Sequence, residues 1–162
     1  MTADAGDRQI DRAVRDVLQL AREHLRMDVA FVSKFERGQR VFRQVDPDDG
    51  QQVIAAGGAD PLEMSFCQRV IDGRLPEMVT DVTKLPDFAE LPATPFRIGA
   101  HLSTPICLAD GLVYGTLCCF SFAPDDSLRE RDLKRLRMAA ELVARLIDSA
   151  RSRNAGGNSP PH

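Results

Sequence analysis

The most reactive side chains in this chain are its four cysteines, Cys67, Cys107, Cys118 and Cys119, together with His24 and His101. A thiol acts as a nucleophile or metal ligand only as thiolate, and structural metal sites need such ligands in clusters. No pair of cysteines forms a CxxC, and no paired spacing is visible, so neither a disulfide framework nor a metal site is expected. Cys118 and Cys119 are adjacent on a predicted strand, so they point to opposite faces and cannot serve one metal ion together. Cys67 stands alone in a short predicted helical segment with Phe66, Val70 and Ile71. Such a cysteine either packs as a small apolar residue or, near a helix N-terminus, becomes a thiol of lowered pKa. His101 sits on a predicted strand, where a hydrogen-bonded, semi-buried imidazole and a ligand contact are the two readings. No catalytic constellation emerges from these residues, and the chain is expected not to be an enzyme.

The stretch that must position His101 is RIGAHLSTPICLADGLVYGTLCCFSF, Arg97 to Phe122. It reads as two strands joined at Asp110-Gly111, a dipeptide suited to the positive φ of hairpin turns. In the first arm Ile98, Ala100, Leu102, Thr104 and Ile106 alternate with Gly99, His101, Ser103 and Pro105. In the second, Val113, Leu117 and Cys119 alternate with Tyr114, Thr116, Cys118 and Phe120. Both faces are apolar enough for burial, so one is expected under helices and the other over an internal space.

A helix is predicted over Arg8 to Arg26, with Ile10, Val14, Val17, Ala21 and His24 on one stripe and Ala13, Leu18 and Leu25 on another. The strand VAFVSKFE follows, then a turn at Arg37-Gly38-Gln39 and a second strand from Arg40 to Val45. Phe31 and Phe35 share one face of the first, and Val41, Arg43 and Val45 one face of the second. Gln51 to Pro61 reads as a loop or ragged strand. A short helix from Glu63 or Met64 ends at Asp72-Gly73, a brief strand covers Leu75 to Val79, and Pro86, Pro92 and Pro95 exclude a long helix over Asp81 to Thr94. Ser127 and Glu130 are placed to form a capping box for a last helix, Leu128 to Ser152. Its Leu133, Leu136, Ala140, Val143, Ile147 and Ala150 form a heptad seam, with Leu142 and Leu146 on a second stripe. Residues 1–7 are expected to be flexible, 8–152 to form one domain, and 153–162 to be a flexible tail or linker.

Taken in order, these elements resemble the GAF family of small-molecule sensor domains over about Val14 to Ile147. The matching pieces are SFCQRVIDGRLPEMVTDV (Ser65 to Val82), IGAHLSTPI (Ile98 to Ile106) and LVYGTLCCFS (Leu112 to Ser121), the last two carrying the family's G-x-x-x-x-x-P-I and G-T-L patterns. The resemblance implies an α+β, PAS-related fold. Its central antiparallel sheet would carry the N- and C-terminal helices on one face and a pocket under short helices and loops on the other. That pocket would be lined by Phe31, Phe35, Phe66, Cys67, Asp81, Phe96, His101 and Ser103, although the phenylalanines serve equally well as plain core. This version is similar to GAF domains found in bacterial signalling proteins, ahead of kinase or cyclic di-GMP output domains.

Particular family chemistries lack their residues here. Cyclic-nucleotide binders carry an Asn-Lys pair where this chain reads SFAPDDSLRERDLKRL. Bilin binders attach pigment through a cysteine where it reads PDFAELPATPF. Haem binders need an axial histidine, for which only His101 and the outer-helix His24 remain. One branch reduces free methionine-R-sulfoxide, with a thiolate attacking sulfur and a second cysteine resolving the product. Cys67 stands where that branch has a cysteine, but its other cysteines are absent. A redox-sensing or reductase-like protein using Cys67 is therefore the alternative to a ligand sensor of undetermined cofactor.

The two-striped terminal helices are expected to pack on the sheet and against their copies in a homodimer, the alternative being a monomer with ordinary amphipathic helices. They would pass ligand state to an output domain or partner protein. The net charge of −3 gives no reason to expect nucleic acid. No apolar run approaches membrane-spanning length, and the N-terminal residues are too polar for a signal peptide, so a cytoplasmic location is expected and no membrane partner.

Overall fold

The computed structural model describes the backbone of residues 3–46, 59–61, 66–86, 89 and 97–157, and the side chains of residues 9–46, 68–86, 89 and 97–152. Helix α1 spans Ala3–Leu25. Strands β1 (Val29–Glu36) and β2 (Gln39–Asp46) form a hairpin. Strand β3 (Ala59–Pro61), helix α2 (Phe66–Ile71) and strand β4 (Met78–Val79) are short. A single 3-10 turn covers Val82–Lys84. Strands β5 (Ala100–Cys107) and β6 (Val113–Ser121) lead to helix α3 (Glu130–Gly157). The strands make one antiparallel sheet of order β3-β2-β1-β6-β5-β4.

Local chemistry sets these boundaries. Arg26 takes a left-handed φ of 56° and ends α1, with the Met27 amide donating to the Arg22 carbonyl at 3.0 Å. Arg37 and Gly38 both have positive φ, 53° and 75°, as a two-residue hairpin turn matched to strand twist requires. Helix α3 starts later than its sequence suggests. Ser127 donates to Asp125 instead of capping, and the Arg129 amide donates to the Asp132 carboxylate at 2.7 Å, half of a capping box shifted along the chain. Both terminal helices also run past their periodic regions, to Ala3 and to Gly157, because apolar periodicity marks only the part of a helix that packs.

Helices α1 and α3 cover one face of the sheet. Val14 and Leu18 of α1 and Leu136, Ala140 and Val143 of α3 bury against Val32, Leu102, Ile106, Leu117 and Cys119. Arg22 of α1 forms an ion pair with Asp46 at the end of β2 and so fixes the helix on the sheet. On the opposite face Val29, Phe31, Phe42, Val45, Cys118 and Phe120 form a second cluster. A third, Val70, Leu75, Val79 and Val82, joins α2 to the β4 edge.

Two register breaks alter the faces read from strict alternation. A β-bulge opposite Val32 and Ser33 leaves Arg43 between the pairs Val32–Gln44 and Ser33–Phe42. Val45 and Phe42 therefore share the face away from the helices, and Arg43 goes to the helix side, so Val41, Arg43 and Val45 do not form one face. A second bulge at Ile106/Cys107 leaves Tyr114 between Val113 and Gly115 and sends it to the helix side, away from Thr116. Ile98 precedes β5 and packs with Val79 and its neighbours, not with Ala100. Cys107, at the strand end, is exposed.

Candidate ligand-binding site

The sheet face away from the terminal helices is apolar at its margins and polar along a row through its centre. Directly paired residues on antiparallel strands share a face, so the register places Ser33 beside Thr116, Phe31 beside Cys118, Cys118 beside Ser103, and Phe120 beside His101. The hydroxyls of Ser33 and Thr116 are 2.7 Å apart, the Cys118 thiol donates to Thr116 Oγ1 at 3.3 Å, and Ser103 Oγ lies 3.0 Å from Cys118 Sγ. All four are buried. Burying a hydroxyl without a partner costs about 1–3 kcal/mol, so the row holds together by satisfying itself across three strands.

Aromatic rings flank this row. Phe31 and Phe42 meet edge to face with centroids 5.1 Å apart. The Arg40 guanidinium lies 4.7 Å from the Phe42 centroid and 5.7 Å from that of Phe31. Arg40 is carried at the start of β2, opposite Phe35 on β1 and Asp60 on β3. Its charge reaches His101. Burial first, then the Arg40 charge, pushes the His101 pKa down from 6.5 to about 4. His101 is therefore neutral at physiological pH, with one protonated and one unprotonated ring nitrogen. Among the described residues no three His, Cys, Asp or Glu side chains converge as a metal ion would require.

The residues named from sequence fall into three groups. Phe31, Phe35, His101 and Ser103 share this face. Asp81 is engaged elsewhere: it caps the 3-10 turn, accepting from the Thr83 amide at 3.0 Å and from the Thr83 hydroxyl at 2.6 Å, and that hydroxyl holds its carboxyl below the usual range. Phe66 and Cys67 open α2, with side chains outside the described ones, and Phe96 lies outside the described residues. Arg40, Phe42, Ser33, Thr116 and Cys118 join the site without having been singled out. The two-residue turn was the available signal for Arg40, since it sets Arg40 opposite Phe35.

The remaining thiols differ in chemistry. Cys118 belongs to the polar row, whereas Cys119 faces the helices, and burial pushes its pKa up to about 12. A thiol so raised stays protonated and is a poor redox partner.

One residue ties this face to α3. The Ser103 amide donates to the Glu77 carbonyl at 2.8 Å, just before β4. The Glu77 carboxylate accepts from Arg137 of α3 at 3.2 and 2.9 Å, and this pairing holds its pKa below the ordinary value.

A GAF domain family model matches residues 7–148, and the chain belongs to that family. It is 30% identical over 146 residues to a cyclic di-GMP phosphodiesterase of Pseudomonas aeruginosa, a match covering 89% of this chain and 24% of that protein. The chain thus spans about a quarter of its curated relative. Among solved structures, the GAF domain of an Acinetobacter phosphoenolpyruvate-protein phosphotransferase superposes with a TM-score of 0.68 at 16% identity, over 91% of this chain and 93% of that one. The GAF-B domain of DevS from Mycobacterium smegmatis gives 0.66 at 19% identity, over 90% and 98%. The solved structures agree with the expected α+β architecture, and membership of the family agrees with a sensor-type signalling domain. No described helix is long and apolar enough to cross a membrane.

Proposed function

We propose that this chain is a small-molecule-binding regulatory domain of bacterial signal transduction, acting in the cytoplasm and without catalysis of its own. The observation that carries this reading is Arg40 laid over Phe42 and Phe31 beside the row Ser33, Thr116, Cys118 and Ser103. Ligand sites combine apolar walls with a few placed polar groups, and this face has both. Arg40 would hold an anionic end of the ligand, and His101 and Ser103 would hydrogen-bond its body. A ligand biases the protein only if it binds two arrangements unequally. Glu77 provides the route, because it hydrogen-bonds β5 through its backbone and α3 through its side chain.

Native mass spectrometry of freshly purified protein, followed by a thermal-shift panel of small metabolites, tests this reading. A retained or stabilising small molecule is expected, with its effect lost in Arg40→Ala. Bare protein that no compound stabilises would count against the sensor. Methionine sulfoxide turnover dependent on Cys67 would replace it with the reductase.

The output requires paired helices. Leu20 of α1 and Met138 and Leu142 of α3 are 67%, 68% and 44% exposed and rim an apolar groove of about 490 Å³ between the two helices. A second copy of the chain fills this groove in our reading, giving an isologous four-helix contact. Sedimentation of the parent should give a dimer, and Leu142→Glu, which buries a charge only in the dimer, should give a monomer with unchanged circular dichroism. A monomeric parent at high concentration removes the dimer.

A further inference from the structure

A second cleft, of about 210 Å³, lies on the opposite side of the sheet, between α1, α3 and strands β1, β2 and β6. Its inner wall is apolar, formed by Ile10, Val14, Val32 and Ile147. Its floor is Tyr114, whose ring centroid is 5.8 Å from Lys34 Nζ and 5.7 Å from Arg151 Cζ, and Arg43 lines the same cleft. Asp11 is the one carboxylate among the described lining residues. Glu36 approaches Lys34 at 3.8 Å, and Arg15 of α1 reaches Gln44 of the lining at 3.4 Å, so cations still outnumber carboxylates.

Both Arg43 and Tyr114 reach this cleft through the register breaks described above. Alternation carried on from Val45 or from Thr116 would place each on the other face. Bulges cost ladder hydrogen bonds and commonly re-aim a side chain at a functional site. Here two breaks in separate strand pairs deliver a guanidinium and a phenol to one place.

We propose that this cleft binds a small organic anion, a carboxylate or phosphate on a short apolar chain. The anionic group sits against Arg43, Arg151 and the Tyr114 hydroxyl, and the chain lies along Ile10, Val14 and Val32. The volume is below the roughly 300 Å³ of a drug-sized pocket, so a chain of a few carbons fits and a nucleotide does not. Because Arg151 lies in the last part of α3, occupancy holds the exit of that helix on the sheet. The site is independent of the Arg40 face.

Tyr114 is the only tyrosine and the chain has no tryptophan, so tyrosine emission reports this cleft alone. The protein is titrated with sodium butyrate, butyl phosphate and inorganic phosphate against sodium chloride of matched ionic strength. A saturable change with butyrate or butyl phosphate is expected, weakened at least tenfold in Arg43→Gln and in Arg151→Gln. Both side chains are exposed, and circular dichroism checks that the variants remain folded. Butyrate alone saturating assigns a carboxylate, and butyl phosphate alone a phosphomonoester. A change that sodium chloride reproduces, or saturable binding unaltered in the double variant R43Q/R151Q, overturns the proposal. Inorganic phosphate binding as tightly as butyl phosphate overturns its apolar half.

Discussion

Gly115→Ala is expected to destabilise the domain by about 3 kcal/mol, at the upper end of overpacking penalties. A Cβ at this position would land on the carbonyl of Ser33, in the neighbouring strand β1. The obstacle is backbone and cannot rotate aside, so β1 and β6 would have to part where their ladder joins the two halves of the sheet. Gly38→Ala is the comparison: its φ of +75° is strained for alanine, but nothing lies within 4 Å of the new methyl group. The left-handed conformation alone costs about 1–2 kcal/mol. Urea unfolding of both variants checks the difference, and equal losses would show that close approach is not what the glycine of the G-T-L pattern serves. Gly99, the glycine of the other motif, has the same relation to the backbone of Ala123 and Pro124.

Acid should weaken the domain through His101. Its pKa is 6.5 when unfolded and about 4 when folded, so between these values the unfolded chain binds more protons. Stability therefore rises with pH across this window; it is complete above 6.5 and is lost progressively as pH falls towards 4. At 1.36 kcal/mol per pH unit the loss comes to about 3 kcal/mol. Carboxylates contribute in the same direction at the acid end, Glu77 and Asp81 among them, since both are held below their ordinary values. His101→Gln isolates the histidine: its unfolding free energy should fall by about 3 kcal/mol less than the parent's between pH 7 and pH 4. Parallel curves for parent and variant would show that His101 is not the buried neutral group described.

Sequence patterns served best where the ladder is unbroken. VAFVSKFE is strand β1 residue for residue, and alternation in β5 correctly separated Leu102 from His101 and Ser103. Alternation failed at Arg43 and Tyr114, because it assumes a constant register and each lies at a bulge. No local pattern announces such a break. It follows from how two distant segments pair. The polar row was partly legible for the same reason. Ser103 could be placed on a face from its own strand, but its relation to Cys118, Thr116 and Ser33 exists only after three strands align. Asp81 shows a different limit. A carboxylate near a pocket segment was read as a ligand contact, but the Thr83 amide and hydroxyl lie two residues away and compete for it locally.

Strand order also bears on how the chain reaches this state. Strand β1 pairs with β2 directly after it, but its other edge waits for β6, and the Ser33–Thr116 contact closes a separation of 83 residues. Pairings so distant make folding slow relative to a helical bundle of similar size. A nascent chain that stops short of Val113 has made the β1–β2 hairpin and exposes the apolar edge of Val29–Phe35 with nothing beside it. Open edges of this kind pair with other chains. Synthesis of the β6 segment is thus the event that closes the sheet, and truncation before it converts a domain into an aggregating hairpin.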